Sequence, residues 1–225
     1  MEAMVHETPE DVAEAAARRV ADLLASSTDR FSFGLAGGAT PEATYKELRG
    51  RASGWDRVDA WLADERWVPP DHESSNGRMA ASVLFDHVDA VLHRPKFGEL
   101  IEPEDSAAHY EARLRSIHAD GRPDVVLLGV GEDGHTASLF PGTRALSELN
   151  RWFVANDVPA LDEERLTATF NLLWRARLLI VLAVGVSKAA AVLASFEGRT
   201  PAGRLGDREA EVEWYLDRDA ASLLG

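Results

Sequence analysis

The chain has 225 residues, 45% of them hydrophobic, and a formal net charge of −14. That is enough apolar content for one substantial core, and a single domain spanning 1–225 is the expected organisation. Such an acidic field repels nucleic acid and anionic membranes, so neither is an expected partner. The absence of cysteine excludes disulfides, thiolate nucleophiles and cysteine-based zinc sites. No stretch approaches the roughly 20 apolar residues of a membrane span. The acidic N-terminal segment has no apolar signal core, so a cytoplasmic protein is expected.

In chain order, Thr8-Pro9-Glu10-Asp11 reads as a helix start, with Thr8 as cap and Pro9 at the first helical position. Val12, Ala16, Val20, Leu23 and Leu24 keep helical spacing to about Ser27. Phe31 to Ala36 is a short apolar strand, followed by Gly37-Gly38-Ala39-Thr40-Pro41 and a second helix to about Leu48, with Thr40 as its cap. Val58 to Ala63 is a strand that ends at Asp64-Glu65-Arg66. Asn76 to Val88 and Ser106 to His118 read as helices.

Asp124 to Val130 is apolar on both faces, as strands of a parallel sheet are, and it ends in Gly131-Glu132-Asp133-Gly134-His135. Trp152 to Ala155, Leu166 to Phe170 and Leu178 to Val184 read as strands, and Ser187 to Phe196 as a helix. Val212 to Leu216 is read as a last, edge strand. Strands alternating with helices predict an α/β protein, a three-layer α/β/α sandwich on a mostly parallel, Rossmann-like sheet. Ligands of such sheets bind beyond the carboxyl ends of the strands. GGATP, DER and GEDGH all sit at that kind of position, so one pocket could collect them.

Each of these segments also has a plain structural reading. Gly37 and Gly38 let backbone approach a ligand, and the helix after them offers free N–H groups to an anion, yet an ordinary strand-to-helix turn has the same sequence. Arg66 can grip a phosphate or carboxylate through its planar fork, with Asp64 orienting a hydroxyl or holding the arginine; a solvated loop with an ion pair is the commoner fate of such a triplet. Asp133 lies two residues before His135, close enough to fix the imidazole tautomer. An imidazole titrating near neutrality can take a proton from water and return it. Ser138 is near His135, but no G-x-S-x-G elbow exists. No HExxH or other ligand spacing points to a metal, and no cofactor is called for. Lys188 opens a helix, which the helix dipole disfavours unless the lysine meets a bound anion.

Taken together, AGGATPEATYKEL, WLADERWVPPDHESSNGRMA, DVVLLGVGEDGHTASLFPG, ERLTATFNLLWRAR and WYLDRDAA resemble, in this order, the 6-phosphogluconolactonase family. The resemblance runs from about Phe31 to Ala220, and GEDGHTASLFPG is its most specific part. It implies the three-layer fold shared with glucosamine-6-phosphate deaminases and ribose-5-phosphate isomerases. It also implies hydrolysis of 6-phosphoglucono-1,5-lactone, the second step of the oxidative pentose phosphate pathway, with a phosphorylated sugar lactone as the small-molecule partner. By that resemblance His135 is the catalytic base, and Gly37, Gly38, Ala39 and Thr40 form the loop around the substrate. Arg66 and Lys188 hold the phosphate with Asp64 beside them, and Arg165 is a further pocket cation. Ala39 stands where relatives often carry serine, and the acidic NDVPALDEER replaces a proline-rich loop before Arg165. A deaminase or isomerase on the same fold would carry an acidic residue where this chain has SLFPG. A non-catalytic sugar-phosphate sensor would need a DNA-binding module for which no residues remain. A monomer or small homo-oligomer fits either way.

Overall fold

The computed structural model describes residues 2–98, 101–118, 120–208 and 210–225. Its centre is a seven-stranded sheet in the order β1-β10-β9-β6-β2-β3-β5. The strands are β1 (Glu2–His6), β2 (Phe31–Leu35), β3 (Val58–Leu62), β5 (Val91–His93), β6 (Val125–Gly129), β9 (Leu178–Ala183) and β10 (Glu211–Asp217). Every pairing in it is parallel. The interior strands β6 and β9 are almost wholly buried, which accounts for their unbroken apolar sequences.

Alternate residues of these strands feed two cores. Val125 and Leu127 join Phe33, Leu35 and Ile180 beneath α1 (Pro9–Ser26), α2 (Ala39–Arg51) and α3 (Asn76–Val83), which supply Val20, Leu24, Tyr45, Leu48 and Ala80. Val126 and Leu128 face the other way, toward Tyr110 and Leu114 of α4 (Pro103–Ile117) and Val192 of α6 (Ala189–Phe196). The three layers of the sequence expectation are therefore present, and the central sheet is parallel throughout. None of these helices is long and apolar enough to cross a membrane among the described residues.

The cap of α1 is as expected: Asp11 N–H donates to Thr8 Oγ1 at 3.1 Å, while Thr8 N–H donates to the Asp11 carboxylate at 3.1 Å. Four details differ from the sequence reading. Val212–Leu216 is no edge, because β1 covers β10 on its outer side. β1 itself has a mostly exposed, non-alternating sequence that carries no strand signal. The helix from Asn76 stops at Val83, where Leu84 leaves helical geometry at φ −134° and a short 3-10 turn, Phe85–His87, follows. Thr40 does not cap α2: Gly38 does, at φ 105°, and Ala39 is the first helical residue. Pro41 is tolerated two positions further in because first-turn N–H groups have no helical acceptor in any case.

The largest departure lies at Asp64-Glu65-Arg66. The chain leaves the central sheet at Ala63, whose N–H still donates to Leu35 O at 2.8 Å. The triplet then forms its own strand, β4 (Asp64–Arg66), in a second, antiparallel sheet of order β4-β8-β7, with β8 at Glu163–Ala168 and β7 at Phe153–Val158. Ala63 O accepts from Ala168 N at 2.7 Å, so one residue ties the two sheets together. The strand expected over Leu166–Phe170 begins earlier, at Glu163, and ends before Phe170, which opens the short helix α5 (Phe170–Leu173).

Candidate active site

The carboxyl ends of β2, β6 and β9 and the small sheet enclose a cavity of about 290 Å³. Ala36, Gly37 and Gly38 enter it from the end of β2, Asp64 and Arg66 from β4, and Asn76 from the start of α3. Gly129 lines it from the end of β6, Val130, Gly131, His135 and Ala137 from the segment that follows, Arg165 from β8 and Lys188 after β9. The structure thus brings together the three polar segments and the two later cations of the sequence reading. Ala39 and Thr40 are not on its wall. They lie in the first turn of α2, where Thr40 O accepts from Thr44 Oγ1 at 3.1 Å.

The imidazole of His135 is set by backbone geometry and one carboxylate. Its Nδ1 lies 2.6 Å from Asp133 Oδ1, and its backbone N–H donates to the same oxygen at 3.1 Å. A carboxylate only accepts, so Nδ1 is the donor, and in the neutral imidazole the lone pair is then on Nε2. Gly131 makes room for the pair: a Cβ there would fall 2.1 Å from His135 Nδ1 and 2.7 Å from Asp133 Oδ1. Phe140 stacks on the ring at a centroid distance of 3.9 Å, and the side chain stays 28% exposed. Ser138 is no partner of this histidine. Its hydroxyl donates to Asp64 Oδ2 at 2.7 Å, deep in the interior.

The cations are held differently. Arg66 and Arg165 are cross-strand neighbours in the β4–β8 ladder. Like charges directly opposite destabilise a sheet, so this pairing calls for a compensating anion. Glu163 is an ion-pair partner of Arg165 and supplies part of the compensation. Arg66 donates through its terminal nitrogen to Ser74 O at 2.9 Å and to the Asn76 side chain. The Nε atoms of both arginines are nevertheless buried without a hydrogen-bond partner among the described residues. Buried guanidinium donors left unpaired are costly, and both arginines line the cavity, where their guanidinium groups are placed to meet an anion. Lys188, half-buried at the start of α6, makes no ion pair among the described residues.

Three residues that the sequence reading left without a role organise this wall. Asn76 donates to Asp64 O at 2.9 Å while accepting from Arg66, and it fills the space that a side chain at Gly37 would need. Glu65 is buried and accepts from the backbone N–H groups of Arg66, Asn76 and Gly77 at 2.7–2.8 Å and from Ser75 Oγ at 2.9 Å. Burial pushes its carboxyl above the usual range, against those four donors. It fastens the N-terminus of α3 to β4. Tyr45 accepts from Ala36 N–H at 3.0 Å and donates to Ala36 O at 2.9 Å, pinning the backbone just before the two glycines. The only sequence signal for Asn76 is that it follows Ser75, the cap of α3. Nothing local marks Glu65 or Tyr45.

A family model described as glucosamine-6-phosphate isomerases/6-phosphogluconolactonase matches residues 7–214. The chain belongs to this family. It is 36% identical over 202 residues to a 6-phosphogluconolactonase of Synechocystis, covering 84% of this chain and 83% of that one. A solved 6-phosphogluconolactonase of Trypanosoma brucei superposes with a TM-score of 0.88 at 28% identity, covering 100% of this chain and 98% of the other. A monomeric glucosamine-6-phosphate deaminase superposes with a TM-score of 0.84, also at 28% identity, over 99% of this chain and 100% of that one. Backbone likeness alone therefore does not separate the two activities within the family, and the side chains in the cavity carry that distinction.

Proposed function

We propose that the protein hydrolyses 6-phosphoglucono-1,5-lactone to 6-phosphogluconate. The observation that carries this reading is one cavity holding a tautomer-fixed imidazole, Asp133–His135, together with three cations, Arg66, Arg165 and Lys188. The name of the Synechocystis relative supports the same reaction class. The cations bind the phosphate and so orient the lactone, which by itself lowers a barrier by several kcal/mol. His135 Nε2 takes a proton from water as the water oxygen attacks the lactone carbonyl carbon. The Asp133 carboxylate stabilises the imidazolium that results. The tetrahedral intermediate collapses by breaking the bond from the carbonyl carbon to the ring oxygen, and the imidazolium returns its proton to that oxygen. No step needs a cofactor.

A deaminase reading is disfavoured by the segment after His135. Ser138 is committed to Asp64, Leu139 is fully buried and Phe140 stacks on the imidazole, so Thr136–Gly142 offers no acid to the cavity. The test is lactone hydrolysis measured beside glucosamine-6-phosphate deamination on one preparation. Hydrolysis well above the spontaneous rate, with no deamination, is expected. Deamination as the faster reaction would overturn the assignment.

A further inference from the structure

The C-terminal motif WYLDRDAA lies outside the cavity and has no part in the reaction as described. Its Asp217 closes β10 and is only 3% exposed. No arginine, lysine or histidine pairs with it among the described residues. Its carboxylate instead receives backbone donors: Gly185 N–H lies 3.0 Å from both oxygens, and Ala220 N–H lies 2.8 Å from Oδ1. A buried carboxylate satisfied only by backbone N–H groups fixes the position of that backbone.

Gly185 is where the chain turns from β9 toward Lys188. It stands at φ +90°, a conformation that side-chain-bearing residues rarely adopt, although a Cβ there would touch nothing within 4 Å. Its carbonyl accepts from Lys188 N–H at 3.0 Å. Asp217 therefore holds one side of Gly185 and the Lys188 backbone holds the other. Among the described residues the turn between them has no other anchor of this kind: Val186 and Ser187 are exposed, Val186 at 71%.

We infer that Asp217 is a positioning residue that sets Lys188 for the phosphate through the Gly185 turn. The inference rests on the reading of Lys188 as a phosphate cation. Asp217 is buried and is not part of the cavity wall. Its contribution is to substrate and product affinity, and the chemical step is left to His135.

The test is a double-mutant cycle on full-length protein, read as 6-phosphogluconate affinity, KM and kcat. Lys188→Ala should weaken product binding by about 10- to 100-fold. Asp217→Ala should weaken it by about 3- to 30-fold with kcat within about twofold of the parent, and Asp217→Asn, which keeps one acceptor for Gly185, by less. In the Lys188→Ala background Asp217→Ala should weaken binding no further, because its effect runs through the lysine. A purely structural role would lower Tm equally in both backgrounds and leave affinity unchanged. Should Asp217→Ala fail to fold, Asp217→Asn and Gly185→Ala, which strains the same turn without a clash, carry the test with the same expected rise in KM. Parent-like product affinity in the Asp217 variants, while Lys188→Ala is impaired, would overturn the inference alone. So would an Asp217 effect that persists undiminished without the lysine. Parent-like affinity in Lys188→Ala would overturn the phosphate reading and this inference with it.

Discussion

Two carboxylate–imidazole pairs of nearly equal length occupy opposite ends of the molecule. At the carboxyl ends of the strands Asp133 holds His135 at 2.6 Å, and Asp59, near the start of β3, holds His93 at 2.7 Å. The difference lies at the second ring nitrogen. His93 Nδ1 accepts from Arg113 Nε at 3.2 Å, so both nitrogens are engaged and the side chain is 7% exposed. His135, on a cavity wall, has no partner at Nε2 among the described residues. The charges follow the same division. Asp59 is also gripped by Arg30. Burial alone would raise the Asp59 carboxyl, but the hydrogen bonds from His93 and Arg30 outweigh it and hold it below the usual range. Around His135, by contrast, Arg66 and Arg165 have buried donors without a partner among the described residues. A carboxylate–imidazole pair is thus a structural clamp where every donor and acceptor is satisfied, and a candidate base where one nitrogen is left over beside unsatisfied cations.

The largest expected effect breaks the pair at the cavity. His135→Ala should lose about 10²–10⁴-fold in kcat while retaining 6-phosphogluconate affinity, measured against the spontaneous lactone rate at each pH. His93→Asn should leave kcat near the parent and cost about 1–3 kcal/mol in urea unfolding, because Asp59 and Arg113 lose a buried partner. A folded His135→Ala protein at near-parent rate, or a His93→Asn protein with comparable loss of kcat, would erase the distinction.

A second prediction concerns acid sensitivity at the amino end. Burial lowers the His118 imidazole to about 4, against the reference of about 6.5. The unfolded chain then binds a proton at a pH where the folded one does not. Stability from this group is intact above about 6.5 and declines as pH falls toward 4, by up to about 3 kcal/mol. His118→Gln should flatten the decline in unfolding free energy between pH 6.5 and 4.5. An unchanged slope would mean that other groups govern it.

Next in size, Arg66→Ala or Lys188→Ala should each cost about 1.5–3 kcal/mol in product binding with little change in Tm, whereas Arg30→Ala should leave binding untouched. Arg165→Gln should weaken binding and leave Tm equal or slightly higher, since it relieves the cross-strand pair of like charges. A clear drop in Tm would show the arginine pair to be stabilising in its own right. The smallest expected effect is none: dialysis against a chelator should leave the lactonase rate unchanged, because no three His, Asp or Glu side chains gather as a metal site among the described residues. Loss restored by zinc or magnesium would count against this.

The sequence by itself determined the alternation of strands and helices, the turn residues at the strand ends and the Gly131–His135 block. These are local properties: periodicity reports which face is buried, and glycine with a capping or tautomer-fixing carboxylate acts within a few residues. Pairing across long separations is different, because its energy is shared between segments that carry no mark of each other. Tertiary structure alone covered β10 with β1, turned Asp64-Glu65-Arg66 out of the main sheet, and set Arg165 opposite Arg66. It also made Asn76 the bridge between Arg66 and Asp64. Arg66 and Asp133 were readable as candidates because of where they fall beside strands. Glu65 and Asp217 were not, because a buried carboxylate's role is written in the backbone N–H groups that converge on it, and only the folded chain brings those together.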